Sequence, residues 1–130
     1  MSENAARTRA ARRAALGRRG EAAAAAELER RGYAIRARNF RCRGGEADLV
    51  ADHGEDLVFV EVKTRSSLRH GLPSEAVRPA KQQRLAAAAE RYCHEQGIEE
   101  RPLRFDVVEV LVFRGDVAAV RVIRDAFVPG

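Results

Sequence analysis

The stretch GGEADLVADHGEDLVFVEVKTR, Gly44 to Arg65, decides how this chain is read. It carries the apolar alternation of two strands, joined by a turn at His53-Gly54-Glu55. Yet three carboxylates, Glu46, Asp48 and Glu61, and one amine, Lys63, fall inside the strands rather than at their ends. Strand side chains alternate between faces. Glu46 and Asp48 therefore share one face of the first strand, with Ala47, Leu49 and Ala51 on the other. In the second strand Glu61 and Lys63 share a face with Leu57 and Phe59, while Val58, Val60 and Val62 fill the reverse. If the strands pair, the two acidic faces point the same way and Asp48 and Glu61 converge.

Such a cluster needs a physical reason. An unpaired carboxylate in an apolar sheet costs several kcal/mol, and two together repel, which raises one pKa. A hard divalent cation removes both penalties, and oxygen-only ligands select Mg²⁺ or Mn²⁺ over zinc or copper. A metal does not need the neighbouring ammonium of Lys63. A phosphodiester under attack does, because negative charge grows on its oxygens. Spacing alone leaves a plainer alternative open. Glu61 and Lys63 could lie on a solvated face and pair across strands for a few tenths of a kcal/mol.

Outward from this stretch the remaining elements follow. GEAAAAAELERRG is rich in strong helix formers and stops at Gly32. Its helix is expected to start between Arg7 and Gly17, with Gly17 and Gly20 as weak points. YAIRARNFRCR reads as a half-buried strand, with Tyr33, Ile35 and Ala37 alternating with Ala34, Arg36 and Arg38. SSLRHGLPSEAV is a loop. Pro79 suits the first turn of a second helix and Gly97 its end. LRFDVVEVLVF and VAAVRVIRDAF are two further strands about Arg114-Gly115-Asp116. The expected order is α-β-β-β-α-β-β, an α/β sandwich with a mixed sheet. A single domain over residues 13–127 follows a flexible basic arm at residues 1–12.

Composition narrows the function classes. With 130 residues and a 45% apolar fraction, one domain can bury a real core, and disorder throughout is excluded. Cys42 and Cys93 form no metal-ligand spacing and call for no oxidising compartment. No apolar run is long enough to span a membrane, and the N-terminus lacks the apolar core of a secretory signal. A cytoplasmic protein is expected. The net charge of +5 is unevenly placed, since twelve arginines face four glutamates before Gly44. A basic half beside an acidic cluster suggests a polyanion held over a metal site.

The acidic strand followed by Glu-x-Lys resembles the PD-(D/E)XK nuclease superfamily. GRRGEAAAAAELERRGY, RNFRCRGGEADLV, LVFVEVKTR, GLPSEAV, Lys81, RFDVVEV and the terminal DAF, spread from Gly17 to Phe127, more closely resemble the UPF0102 (YraN-like) family. That family is itself similar to archaeal Holliday junction resolvases. The resemblance implies a restriction-endonuclease-like three-layer α/β/α fold with a central mixed five-stranded sheet, and a Mg²⁺- or Mn²⁺-dependent endonuclease acting on DNA, including branched repair or recombination intermediates. It implies Asp48 and Glu61 as metal ligands, Lys63 as the catalytic lysine, Glu21 completing the metal shell or orienting water, and the Val62 carbonyl as an extra ligand. Ala47 stands where the superfamily name has proline. Glu46 and Gln82 are expected to support the site from behind. Arg18, Arg19, Arg36, Arg38, Arg41, Arg43, Arg65 and Lys81 are expected to meet nucleic acid. The resemblance also implies a homodimer. Two other functions compete: a nucleic-acid-binding protein of this fold without turnover, and a structural partner whose acids bind metal for stability.

Overall fold

The computed structural model describes residues 3–66 and 77–129. The elements run α1 (Glu3–Arg30), β1 (Ala34–Cys42), β2 (Gly45–His53), β3 (Asp56–Arg65), α2 (Pro79–Gln96), β4 (Leu103–Phe113) and β5 (Asp116–Ile123). The five strands form one sheet in sequence order. β1, β2 and β3 form an antiparallel meander, β3 and β4 run parallel, and β4 and β5 form a second antiparallel pair. The parallel step needs a crossover, and α2 supplies it. This is the mixed α/β/α sandwich that the sequence predicts. Most of the predicted loop Ser66–Val77, with Gly71 and Pro73, lies outside the described residues.

Each face of the sheet is covered by one helix. On the α1 side, Ala24, Ala25 and Leu28 pack on Leu49, Ala51, Val58, Val60, Val108 and Val110. On the α2 side, Leu85, Ala88, Ala89 and Tyr92 pack on Val50, Leu57, Phe59, Phe105 and Val107. The helices sit close because two glycines let them. A Cβ on Gly20 would run into the Thr64 side chain of β3. A Cβ on Gly45 would lie 2.6 Å from the Ala88 backbone nitrogen of α2.

Three local expectations change. The first helix begins at Glu3, not between Arg7 and Gly17, and takes in residues 3–12 of the stretch read as a basic arm. Alanine and arginine are both strong helix formers, and one glycine costs only about 1 kcal/mol, so Gly17 and Gly20 do not break it. In β1 the predicted common face fails. Ile35 packs on the α1 side and Ala37 on the α2 side, because a bulge falls between them. In β2, Ala47 does not share a face with Leu49 and Ala51. It packs on the α2 side and they pack on the α1 side.

A buried polar network closes the end of the sheet where β4 begins. Arg104 holds both oxygens of the fully buried Asp106 at 2.9 Å. Tyr33 Oη donates to Asp106 Oδ2 at 2.7 Å, the Asp125 amide donates to Oδ1, and Arg104 also reaches Asp56. Burial, then the bond to Asp106, pushes the Tyr33 hydroxyl up to about 12. Asp106 thus has several donors in a low-dielectric interior, which is the condition under which a buried charge is tolerated.

Candidate active site

The slip in β2 creates the site. β2 pairs with β3 only from Leu49↔Val60 toward the turn. One step beyond, the Asp48 carboxylate replaces a backbone partner: the Val62 amide donates to Asp48 Oδ2 at 2.7 Å. Across from Asp48 on β1, Asn39 adopts a left-handed conformation with φ 52°. The strands separate there and leave a cleft of about 350 Å³. Arg13, Leu16, Gly17 and Glu21 of α1, Asp48 of β2, Glu61 to Thr64 of β3, and Lys81 of α2 line it.

Glu61 is the buried centre of the cleft, with its side chain 2% exposed. Lys81 Nζ lies 2.9 Å from Glu61 Oε1 and Lys63 Nζ 3.7 Å from the same oxygen. The other oxygen, Oε2, is buried and meets no donor. Burial first, then the charge of Asp48, pushes the Glu61 carboxyl up to about 7, against the pull of Lys81 and Lys63. Asp48 is raised for the same leading reason, opposed by its Val62 hydrogen bond and by Lys81. Glu21 is raised by burial and by Asp48, and its hydrogen bond with Asn39 works the other way. Glu21 and Glu61 therefore both feel the charge of Asp48, which lies between them electrostatically.

A hard divalent cation fits this donor set. The unpartnered Glu61 Oε2 and its repulsion from Asp48 are the two penalties that a cation would remove. Asp48 and Glu61 would hold it, with Glu21 reaching in from α1 and Val62 at the cleft wall. Among the described residues no three His, Cys, Asp or Glu side chains already form a closed metal cage. A cation would have to draw these groups inward.

Glu21 is not at a helix start. It sits well inside α1, so a helix-dipole role at the N-terminus does not account for it. Glu46 lies between Arg84 at 3.4 Å and Arg41 at 4.0 Å. Gln82 turns back to donate to the Val77 carbonyl at the start of α2. The basic residues scatter. Lys81 enters the cleft. Arg18 and Arg43 are exposed, while Arg19 pairs with Asp116 and Arg38 with Glu29. Arg36 binds Tyr92 and Asp52, away from the cleft. Arg65 turns inward to Glu109, whose two oxygens are buried without a hydrogen-bond donor. Sequence reasoning did not single out Arg13. The signal was available, because Arg13, Gly17 and Glu21 recur every four residues on one helix face.

Fold and site together define a small α/β/α domain whose cleft combines three carboxylates with two lysines where an antiparallel strand pair parts. A family model described as "Uncharacterised protein family UPF0102" matches residues 20–110. A UPF0102 protein of Symbiobacterium thermophilum is 52% identical over 112 residues, which cover 86% of this chain and 95% of that protein. UPF0102 proteins of Geobacter sulfurreducens and Moorella thermoacetica are 47% and 49% identical over 112 residues, covering 86% and 85% of this chain and 88% and 93% of theirs. The chain belongs to the UPF0102 family.

Proposed function

We propose that the chain is a metal-dependent phosphodiesterase, an endonuclease acting on DNA. The observation that carries this reading is the Asp48, Glu61 and Lys63 constellation at the parting of β2 and β3, with Glu61 Oε2 buried and unpartnered. Mg²⁺ or Mn²⁺, when bound, would supply the charge that generates hydroxide at neutral pH and offsets charge growing on the phosphoryl oxygens. The chain's own residues do the rest. Asp48 and Glu61 would hold the cation through their oxygens, and the Val62 amide fixes the Asp48 rotamer. Lys63 stands beside Glu61, where its ammonium can meet the phosphoryl group. Glu21 accepts a hydrogen bond from water at the cleft wall and orients it. A cytoplasmic setting, branched DNA as substrate and a homodimer belong to the same reading.

The test is cleavage of labelled linear, flap and four-way DNA with Mg²⁺ or Mn²⁺. Cleavage by the wild-type chain and its loss in Lys63→Ala, with the fold intact, would support the reading. No cleavage of any substrate by the wild type would defeat it. One observation favours a second reading, nucleic-acid binding without turnover: Lys81 already neutralises Glu61. Salt-dependent DNA affinity without cleavage would select it.

A further inference from the structure

α1 carries a stripe that runs from the acidic floor of the cleft to its mouth. Arg13, Gly17 and Glu21 are spaced i, i+4, i+8, which puts them on one helix face, and all three line the cleft. Arg13 stands about 12 Å from Glu21 along the helix axis, at 1.5 Å per residue. Between them, Gly17 has no packing reason to be glycine: a Cβ there would meet nothing within 4 Å. A glycine inside a helix costs about 1 kcal/mol relative to alanine. What its missing side chain provides is an open passage between the cation at the mouth and the acids at the floor. Arg12, one residue away, faces elsewhere. It lines a separate depression with Arg19 and Gly115 of the β4–β5 turn.

We propose that this stripe seats one strand of a nucleic acid. The backbone lies in the gap left by Gly17, and Arg13 binds a phosphate of the same strand, away from the bond held over Asp48 and Glu61. The inference rests on the phosphodiesterase reading and adds a substrate-binding residue to it. Arg13 also lies before the segment that the family model matches. Guanidinium is the side chain suited to two-point phosphate recognition. With about 3.4 Å of duplex axis per phosphate on one strand, 12 Å corresponds to a phosphate three to four nucleotides away.

The experiment measures affinity for a labelled single-stranded 12-mer and for a dinucleotide, with Ca²⁺ as the cation, by fluorescence anisotropy. Arg13→Ala should weaken the 12-mer by roughly 5–10-fold and reduce the salt slope by about 0.7, the contribution of one phosphate on a single strand. It should leave the dinucleotide unchanged, because that ligand is too short to reach Arg13. Arg12→Ala removes the same charge one residue away and should change the 12-mer by less than about twofold by the same reasoning. Gly17→Leu keeps every charge, fills the passage and should weaken the 12-mer while Mn²⁺ affinity stays at the wild-type value. Equal losses in Arg13→Ala and Arg12→Ala would reduce the effect to net charge and overturn the proposal, leaving the phosphodiesterase reading standing. Failure of the wild-type chain to bind any strand would overturn both.

Discussion

Lys81 Nζ approaches Glu61 Oε1 at 2.9 Å, closer than Lys63 at 3.7 Å, although Lys63 is the strand neighbour of Glu61 and Lys81 comes from the crossover helix α2. The two lysines therefore divide the work. Lys81 holds the Glu61 charge, and Lys63 stands further off, available to another anion.

Lys81→Met and Lys63→Met should separate these parts. Lys81→Met should lower metal-free stability at pH 8 by about 1 kcal/mol after solvent screening, with a smaller effect for Lys63→Met. Lys81 also competes with a cation for Glu61, so Lys81→Met should tighten Mn²⁺ binding several-fold in calorimetry. Identical stability and affinity changes in the two variants would remove the division.

Glu61 makes metal-free stability depend on pH in an unusual direction. Its folded pKa of about 7 lies above the ordinary 4.5, so between those values the folded chain binds more protons than the unfolded chain. Stability should therefore fall as pH rises from about 4.5 to 7, by an amount on the order of a few kcal/mol. Thermal melts in chelator should show wild type losing stability relative to Glu61→Gln across this window. Divalent cation should restore more at pH 8 than at pH 5. A wild-type-minus-variant difference that does not change with pH would contradict the assignment.

Gly20→Ala should push α1 off β3, because the new methyl group meets Thr64. We expect a loss of about 1–3 kcal/mol, the usual cost of overpacking. Because Glu21 is the next residue, Mn²⁺ affinity should drop as well. Thr64→Ala in the same chain should recover most of both losses. A neutral Gly20→Ala would show that the helix can shift at no cost.

Asp106→Asn tests the polar network at the other end of the sheet. It leaves Arg104 buried with a weakened partner and should cost about 3–5 kcal/mol in urea unfolding. Mn²⁺ affinity of the folded fraction should not move, since no network residue lines the cleft. A fall in that affinity would mean that the two ends of the sheet are coupled.

The five strands and the faces of β3 were legible because they follow from period-2 alternation, whereas Asp48 lies one step beyond the last β2–β3 pair. Glu61 packs beside Phe59 and Leu57 on the side that the alternation assigns. Alternation misassigned Ala47 and Ala37, because bulged and separating strands break the period where the site forms. The separation is not written in residue type. It arises when Asp48 takes over the backbone partner of Val62. The place of Lys81 in the site, and the inward turn of Arg65 to Glu109, depend on how α2 and β4 dock, and a local pattern carries no such information.

The origin of the cleft's charges sets an order in time. Glu21, Asp48 and Glu61 belong to the α1–β1–β2–β3 segment, whose strand contacts are short-range, whereas Lys81 arrives only when α2 docks against Gly45 and the parallel β3–β4 pair closes. Closing the longer loop is the slower event. Early in folding, Asp48 and Glu61 would thus repel each other before the cation nearest to Glu61 is in place, and a divalent ion could stand in for Lys81. Mg²⁺ should accelerate refolding of the wild-type chain in stopped-flow measurements, and the acceleration should vanish in Asp48→Asn. The cleft is then a barrier during assembly as well as a site after it, and the surrounding ions help set how fast the chain crosses that barrier.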